Sequence, residues 1–238
     1  MDLTNRTALI TGGTAGIGLA TAEALHKAGA RLVLAGRRPE RIAELEARWP
    51  GTVGLAGDIA DPALPERLLA LALERTGRCD VVFNNAGLMS SGMIPDVDIE
   101  KVCEMVRVNV EGAYRMAYVA MRHFQSVGEG QLIFTSSVLG TKVRKGAHWY
   151  CGTKFAVEAL AEGLRMECAG TRIRVGCVEP ALTQTELHRH HAVPPAKAQG
   201  MSQPLLPEDV ARAVLFMLQQ PDHVAMPRVM LQPAEQEI

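Results

Sequence analysis

Short apolar segments alternate with longer amphipathic segments along almost the whole chain of 238 residues. Seven short segments are rich in aliphatic residues, as is typical of buried β-strands, and they span residues 8–10, 31–35, 53–55, 81–83, 132–134, 173–178 and 229–231. Six longer segments have helical character and span residues 18–28, 39–48, 62–75, 99–124, 150–169 and 207–219. This alternation predicts an α/β fold, in which a parallel sheet with right-handed crossovers has helices on both faces.

A chain of this length fits one large domain, and it contains neither a repeat nor a low-complexity linker. We therefore expect a single domain over residues 1–238. Residues 183–206 depart from the alternation, since they hold three prolines and three histidines and have weak periodicity. A connection of this length is better explained as a functional substrate lid than as a linker.

The amino-acid composition limits which binding partners and which cellular compartment are expected for this chain. The formal net charge is -1 with 21% of residues charged, so no basic surface points to nucleic acid. The five cysteines are scattered and form no CxxC pair, which favours buried free thiols in a reducing compartment. No apolar run approaches the ~18 residues of a membrane helix, and residues 1–10 contain no signal-peptide segment. We expect a cytoplasmic protein without a membrane partner.

The first predicted strand runs into a glycine-rich turn at residues 11–18 and then directly into a helix. Gly12, Gly16 and Gly18 give the spacing T-G-x-x-x-G-x-G. Glycines let the backbone approach a pyrophosphate, and the N-terminus of the following helix offers free N–H groups and the positive end of its dipole. The turn therefore predicts a dinucleotide site.

The end of the second predicted strand indicates which dinucleotide is bound. A ribose 2′-hydroxyl requires a carboxylate at this place, whereas a 2′-phosphate requires arginine. The chain has Gly36, Arg37 and Arg38 here, with no acidic residue before Glu40. Because the guanidinium fork suits phosphate, the pair predicts NADP(H) in preference to NAD(H). The alternative, a solvated pair at a helix start, is easier to accept for Arg38 than for Arg37.

Tyr150 begins a predicted helix and Lys154 follows four residues later, which places the phenol and the ammonium group on one face, one turn apart. A tyrosine titrates near pH ~10 in water, and a neighbouring cation lowers its pKa. Such a phenol can exchange a proton with a substrate oxygen near neutral pH. A serine at the end of the preceding strand, Ser136 or Ser137, could hold the same oxygen. Taken alone, a chance Tyr-x-x-x-Lys spacing would be the better explanation.

Asn109 lies on the apolar stripe of the helix predicted at residues 99–124, together with Val102, Met105, Ala113 and Met116. A buried amide is costly unless it is hydrogen-bonded. Asn109 is therefore either a satisfied structural amide or a functional group.

With the glycine turn, the sequence Asn-Asn-Ala-Gly at residues 84–87, Ser137, Tyr150 and Lys154 in this order, the chain resembles the classical short-chain dehydrogenase/reductase family over nearly its whole length. The resemblance implies a single-domain Rossmann-type, doubly wound fold with a seven-stranded parallel sheet and a homotetrameric or dimeric assembly. Together with the two arginines, the cofactor-binding residues are then Gly12, Thr14, Gly16, Ile17, Gly18, Arg37, Arg38, Asp58, Ile59, Asn85, Ala86, Gly87, Tyr150, Lys154, Pro180, Thr183 and Thr185.

The resemblance also implies the catalytic roles. Tyr150 is the acid/base, and Lys154 binds the nicotinamide ribose and lowers the pKa of the tyrosine. Ser137 rather than Ser136 matches the family's serine, which lies thirteen residues before the tyrosine, and it holds the substrate oxygen. Asn109 matches an asparagine that holds a water in a proton relay to the lysine, which favours the functional interpretation of this residue.

Two positions depart from the family's pattern beyond residue 178. Glu179 replaces its usual asparagine, and Ala181 replaces a glycine, so the turn beside the nicotinamide is expected to differ in detail. Residues 226–233 lack the double glycine common in many members and are similar to the branch containing serine and 3-hydroxy acid dehydrogenases.

The substrate pocket is expected to be mainly apolar. Its predicted lining residues, besides Ser137 and Tyr150, are Leu139, His148, Leu182 and Leu187, although a structural role is about as good an explanation for His148. The histidines at residues 188–191 could bind an anion or a metal. No second group of ligands is evident, so a solvated face of the lid is favoured and no metal is predicted.

These features predict an NADP-dependent carbonyl reductase acting on a small molecule. The same residues could instead oxidise a hydroxy acid, sugar or steroid alcohol, while a non-catalytic nucleotide sensor would usually lack the tyrosine or the lysine. The helix at residues 150–169 is apolar around much of its circumference. In the family, this helix and the one at residues 99–124 contact a second subunit, so we expect a homo-oligomer, dimeric or tetrameric.

Overall fold

The structure is a computed structural model, which describes residues 2–188, 195–198 and 200–236. Its seven strands form one parallel sheet in the order β3-β2-β1-β4-β5-β6-β7. The strands are β1 (Thr7–Thr11), β2 (Arg31–Gly36), β3 (Val53–Ala56), β4 (Val81–Asn84), β5 (Glu129–Thr135), β6 (Arg172–Pro180) and β7 (Arg228–Leu231). The prediction of a doubly wound sheet of seven strands is confirmed.

Eight α-helices are present among the described residues: α1 (Gly16–Lys27), α2 (Pro39–Arg48), α3 (Leu64–Thr76), α4 (Ile99–Val106), α5 (Ala113–Val127), α6 (His148–Glu167), α7 (Pro195–Ala198) and α8 (Pro207–Gln219). The helix predicted at residues 99–124 is interrupted by a π-helical segment, Arg107–Gly112, which separates α4 from α5. Short 3-10 turns lie at Val138–Gly140 and Glu186–His188.

Consecutive strand residues face opposite layers of the core, as the pleat of a strand requires. Leu9 and Val33 belong to the layer that buries α3, α5 and α6, while Ile10 and Leu34 belong to the layer that buries α1 and α8. Because both faces of the sheet are covered, the central strand β1 is buried along its whole length and has no exposed residue.

The strand order reverses between β1 and β4, so a crevice opens at the carboxyl ends of these strands. The predicted lid is described only in part, and residues 189–194 and 199 lie outside the described residues. Both of its ends are fixed to one another, since Thr183 and Leu205 form a parallel β-bridge. Among the described residues, no helix is long and apolar enough to cross a membrane.

Candidate active site

A cavity of about 1220 Å³ occupies the crevice at the carboxyl ends of the strands. Pockets for drug-sized ligands measure roughly 300–1,000 Å³, so this cavity has room for more than one small molecule. Most of the predicted site residues line it: Gly12, Thr14, Gly16, Ile17, Arg37, Arg38, Asp58, Ile59, Asn85, Ala86, Gly87, Ser137, Leu139, Tyr150, Lys154, Pro180, Leu182, Thr183, Thr185 and Leu187.

The turn between β1 and α1 depends on its glycines. Gly12 and Gly16 have φ angles of +66° and +51°, in the left-handed region that favours glycine. Gly18 does not line the cavity, but a Cβ atom there would lie 2.2 Å from the carbonyl oxygen of Gly12, so it lets the helix pack against the turn. The first turn of α1 has neither a side-chain cap nor an acidic residue. Its N-terminus is therefore suited to an anion.

Two arginines and an acidic lid residue meet at the end of β2. Arg37 is exposed and forms no ion pair with the residues that the structure describes. Arg38 is partly buried, and its Nη1 atom lies 3.1 Å from Oε2 of Glu186 in the lid. Arg38 is therefore more than a solvated residue at a helix start, because its side chain joins the end of β2 to the lid. Asp58, after β3, is exposed and accepts a hydrogen bond from the Ala60 amide.

The floor of the cavity is a hydrogen-bonded link between β1, β4 and β5. The Thr11 hydroxyl accepts hydrogen bonds from the backbone amides of Asn85, at 2.9 Å, and Ala86, at 3.0 Å. The side chain of Asn85 donates to the carbonyl oxygen of Thr11 and accepts from the Thr135 hydroxyl, both at 3.0 Å. These bonds fix the backbone of the segment that ends at Gly87.

Lys154 is buried on α6, and its Nζ atom donates a 2.8 Å hydrogen bond to the carbonyl oxygen of Thr135. The same atom lies 5.6 Å from the centroid of the Tyr150 ring. Burial lowers the pKa of Lys154 to about 8, while the neighbouring Cys177 and Glu158 act in the opposite direction. An ammonium group held in this way changes its charge close to neutral pH.

Tyr150 is buried, and burial raises the pKa of its phenol above the ordinary value. A hydrogen bond with the Ser137 side chain acts in the opposite direction. The sequence predicts that Lys154 lowers this pKa, but in the structure the effect of burial is larger. Burial raises the pKa because a charged phenolate is costly to remove from water. The hydroxyl of Ser137 also lies 3.3 Å from the carbonyl oxygen of Pro180, so β5 and β6 meet at this serine.

Asn109 lies in the π-helical segment and does not line the cavity. Its Oδ1 atom accepts from the amide of Leu88, and its Nδ2 atom donates to the carbonyl of Leu88, both at 2.8 Å. A third bond joins Nδ2 to the Thr153 hydroxyl at 3.1 Å. These contacts favour the structural interpretation of the amide, which holds the segment after Gly87 against α6.

His148, like Gly18 and Asn109, is a predicted site residue that does not line the cavity. Its ring packs against Trp149, with the two centroids 4.6 Å apart, so its expected contact with substrate is not found. Ala181 fits its turn without strain, because Asn5 alone has a positive φ among the described non-glycine residues. Of the histidine cluster, residues 190 and 191 lie outside the described residues.

The structure also places residues at the cavity that the sequence analysis did not find. Five of them carry charged or amide side chains and come from segments without a recognisable motif: Lys101, Glu104, Arg144, Lys145 and Gln236. Gln236, near the C-terminus, is buried, and its Oε1 atom lies 3.4 Å from the amide nitrogen of Leu182. Such contacts connect distant parts of the chain, and no local pattern predicts them.

Comparison with known proteins agrees with this geometry. The sequence model of the family described as short chain dehydrogenase matches residues 6–193. A probable NADP-dependent dehydrogenase of Haemophilus influenzae is 35% identical over 238 residues, covering 97% of this chain and 94% of the relative. The closed form of serine dehydrogenase complexed with NADP+ superimposes with a TM-score of 0.92 at 27% identity, covering 98% and 96% of the two chains. A 3-ketoacyl-(acyl-carrier-protein) reductase from Brucella melitensis complexed with NADH gives 0.88 at 27% identity, covering 97% and 98%.

Proposed function

The chain belongs to the short-chain dehydrogenase/reductase family of oxidoreductases, and from that premise we propose that it is an NADP-dependent carbonyl reductase. Tyr150 is its acid/base, and its substrate is a small ketone or aldehyde. The observation that carries this proposal is the meeting of Tyr150, Ser137 and Lys154 in the same cavity as the glycine turn and the two arginines.

The residues present fit a dinucleotide. Gly12 and Gly16 have no Cβ atoms to fill the turn, and the N-terminus of α1 lacks a cap, so a pyrophosphate has both space and hydrogen-bond donors there. Arg37 and Arg38 would hold a 2′-phosphate, and Lys154 would bind the nicotinamide ribose. The two proteins whose names include NADP support this preference, whereas the reductase complexed with NADH shows that both cofactor types occur among its relatives.

NADPH, when bound, supplies the hydride for the carbonyl carbon. Ser137 holds the carbonyl oxygen, and Tyr150 donates its phenolic proton to that oxygen as it gains negative charge. Burial raises the pKa of Tyr150, so the phenol is in the acid form that reduction requires. The Lys154 ammonium, held by Thr135, supplies positive charge beside the ring. Asn109 fixes the backbone at Leu88 and so positions the segment that follows Gly87.

We further propose a homo-oligomer assembled through the layer of α4, α5 and α6. Large apolar side chains are exposed on these helices, at Val106, Tyr114, Tyr118, Phe155 and Met166. Exposed apolar groups on helices that pack against one another favour burial against a second copy. The cysteines are free, and four of the five are buried, which supports a reducing compartment such as the cytoplasm.

A cofactor and substrate screen tests this function. Ketones and aldehydes are supplied with NADPH, and alcohols and hydroxy acids with NADP, while absorbance at the reduced nicotinamide band is followed. The proposal predicts NADPH consumption with at least one carbonyl compound. Tight cofactor binding without turnover in either direction would instead identify a nucleotide sensor.

A further inference from the structure

A buried carboxylate pair lies behind the candidate active site. Glu179, the residue that replaces the family's usual asparagine, is 1% exposed on β6, and Glu158 is 5% exposed on α6. Arg228 on β7 reaches both, with its Nε atom 3.1 Å from Oε2 of Glu158 and 3.5 Å from Oε1 of Glu179. The Oε1 atoms of both carboxylates are buried and have no hydrogen-bond partner among the described residues.

One guanidinium cannot neutralise two buried carboxylates, and like charges in one site favour the binding of a proton. Burial and the nearby Glu158 raise the pKa of Glu179 to about 7, against the smaller effect of Arg228. Glu179 is therefore the member that takes up a proton, and Glu158 keeps the shorter contact with the guanidinium.

Glu158 follows Lys154 by one helical turn on α6, so the two side chains lie on the same face. Cys177, on β6, lies beside both groups, but burial and the two carboxylates raise the pKa of its thiol far above its ordinary value, so it stays neutral. Glu162, the other carboxylate that reaches Arg228, lies one turn further on and is half exposed. Among these groups, Glu158 is the source of negative charge toward Lys154.

We propose that Glu158 is a positioning residue that serves as counter-ion to Lys154, and that Glu179 is the member of the carboxylate pair that takes up a proton as the pH falls. The inference deepens the proposed function and rests on it, because the charge of Lys154 matters to catalysis only if this lysine supports Tyr150. The replacement of asparagine by Glu179 then has a role: it adds a titrating group next to the counter-ion without adding a permanent charge.

The test measures Lys154 directly as well as activity. The protein is labelled with lysine carrying ¹³C at Cε, and the NMR signal of Lys154 is identified by its loss in Lys154→Met. This signal is followed between pH 6 and pH 10, a range that extends about two units on either side of the Lys154 pKa. The pH profile of kcat for carbonyl reduction is recorded in parallel. The variants are Glu158→Gln, Glu158→Asp, Glu179→Gln and Glu162→Gln, each checked for folding by thermal unfolding.

Glu158→Gln removes the counter-ion and is expected to lower the midpoint pH of the Lys154 titration by about one pH unit. The pH at which kcat falls on the alkaline side should decrease by the same amount. Glu158→Asp keeps the charge but shortens the side chain, so it should give an intermediate shift of the Lys154 midpoint. This variant also tests the proposal if Glu158→Gln does not fold. Glu162→Gln lies outside the buried site and should keep the wild-type midpoint. The pKa of Glu179 is about 7, so this carboxyl is largely ionised at the Lys154 midpoint, and Glu179→Gln removes a charge. This variant should therefore lower the midpoint, but by less than Glu158→Gln, because Glu158 lies on the same face of α6 as Lys154.

An unchanged Lys154 midpoint in Glu158→Gln overturns the inference. A shift in Glu179→Gln as large as that in Glu158→Gln also overturns it, because the charge would then reside on Glu179. If the wild-type protein reduces no carbonyl compound, the proposed function fails, and the NMR titration still decides whether Glu158 is the counter-ion.

Discussion

The Nζ atom of Lys154 donates a 2.8 Å hydrogen bond to the carbonyl oxygen of Thr135, the last residue of β5. This bond joins α6 to the end of the strand that leads to Ser137. It fixes the ammonium group 5.6 Å from the centroid of the Tyr150 ring, so the position of the cation is set by the sheet.

The rate of carbonyl reduction should fall as the pH rises through about 8. Burial lowers the pKa of Lys154 to about 8, so the ammonium group is present below this pH and is lost above it. Tyr150 stays protonated over the same range because burial raises the pKa of its phenol. The measurement is kcat between pH 6 and pH 10, a range chosen to cover both sides of this pKa.

Lys154→Arg provides the control for this assignment. A guanidinium keeps its charge throughout the range, so the variant should lose overall rate through its altered geometry but show no fall near pH 8. The same alkaline fall in wild type and in Lys154→Arg would assign it to another group.

Arg37→Ala should weaken NADPH binding roughly 10- to 100-fold and leave NADH binding nearly unchanged, as expected for loss of one charge-assisted hydrogen bond to a phosphate. Fluorescence titration of both cofactors measures the two dissociation constants. Arg41→Ala is the matched control, because Arg41 is exposed on α2 and pairs with Glu44. Equal affinity of the wild-type protein for NAD and NADP would contradict the predicted preference.

Glu186→Gln should tighten NADPH binding by roughly 1.5- to 5-fold. The ion pair between Arg38 and Glu186 is partly exposed, and such pairs are worth about 0.2–1 kcal/mol, which a phosphate would have to replace. Glu44→Gln breaks a similar surface pair and should have no effect. An equal gain for NADH and NADPH would show that Glu186 acts through the lid rather than through the 2′-phosphate.

Tyr118→Glu should shift the protein toward smaller species in sedimentation velocity. Tyr118 is 62% exposed on α5, within the apolar surface proposed to contact a second copy, and a buried unpaired carboxylate there is costly. Leu73→Glu, on α3, places the same charge on a partly exposed apolar position outside that surface. A wild-type protein that sediments as a monomer would remove the basis of this prediction.

The sequence predicts the sheet and the cofactor end of the site well because their signals are local. A strand such as β1 is a continuous apolar run, and the turn after it needs glycines at Gly12 and Gly16, where φ is positive. The spacing of Tyr150 and Lys154 similarly follows from helix geometry alone.

Other features depend on contacts between distant residues. The pair of Arg38 with Glu186 and the meeting of Glu158 with Glu179 leave no pattern in the sequence. The Tyr-x-x-x-Lys spacing predicts a lowered pKa for Tyr150, whereas burial raises it, since spacing reveals a nearby cation but not the degree of burial. The sequence predicts that Asn109 lies on a buried face, which the structure has, but no local pattern predicts its hydrogen bonds to Leu88.

The replacement of Tyr150 by phenylalanine tests the central claim most directly. The variant keeps the ring and its packing but lacks the proton that reduction requires. With the best carbonyl substrate from the screen, Tyr150→Phe should lower kcat by roughly 10²- to 10⁴-fold while NADPH binds with nearly unchanged affinity. Tyr114→Phe, which removes a hydroxyl bonded to the carbonyl of Ala156, should keep the wild-type rate. Full carbonyl reduction by Tyr150→Phe would contradict the assignment of this tyrosine as the acid.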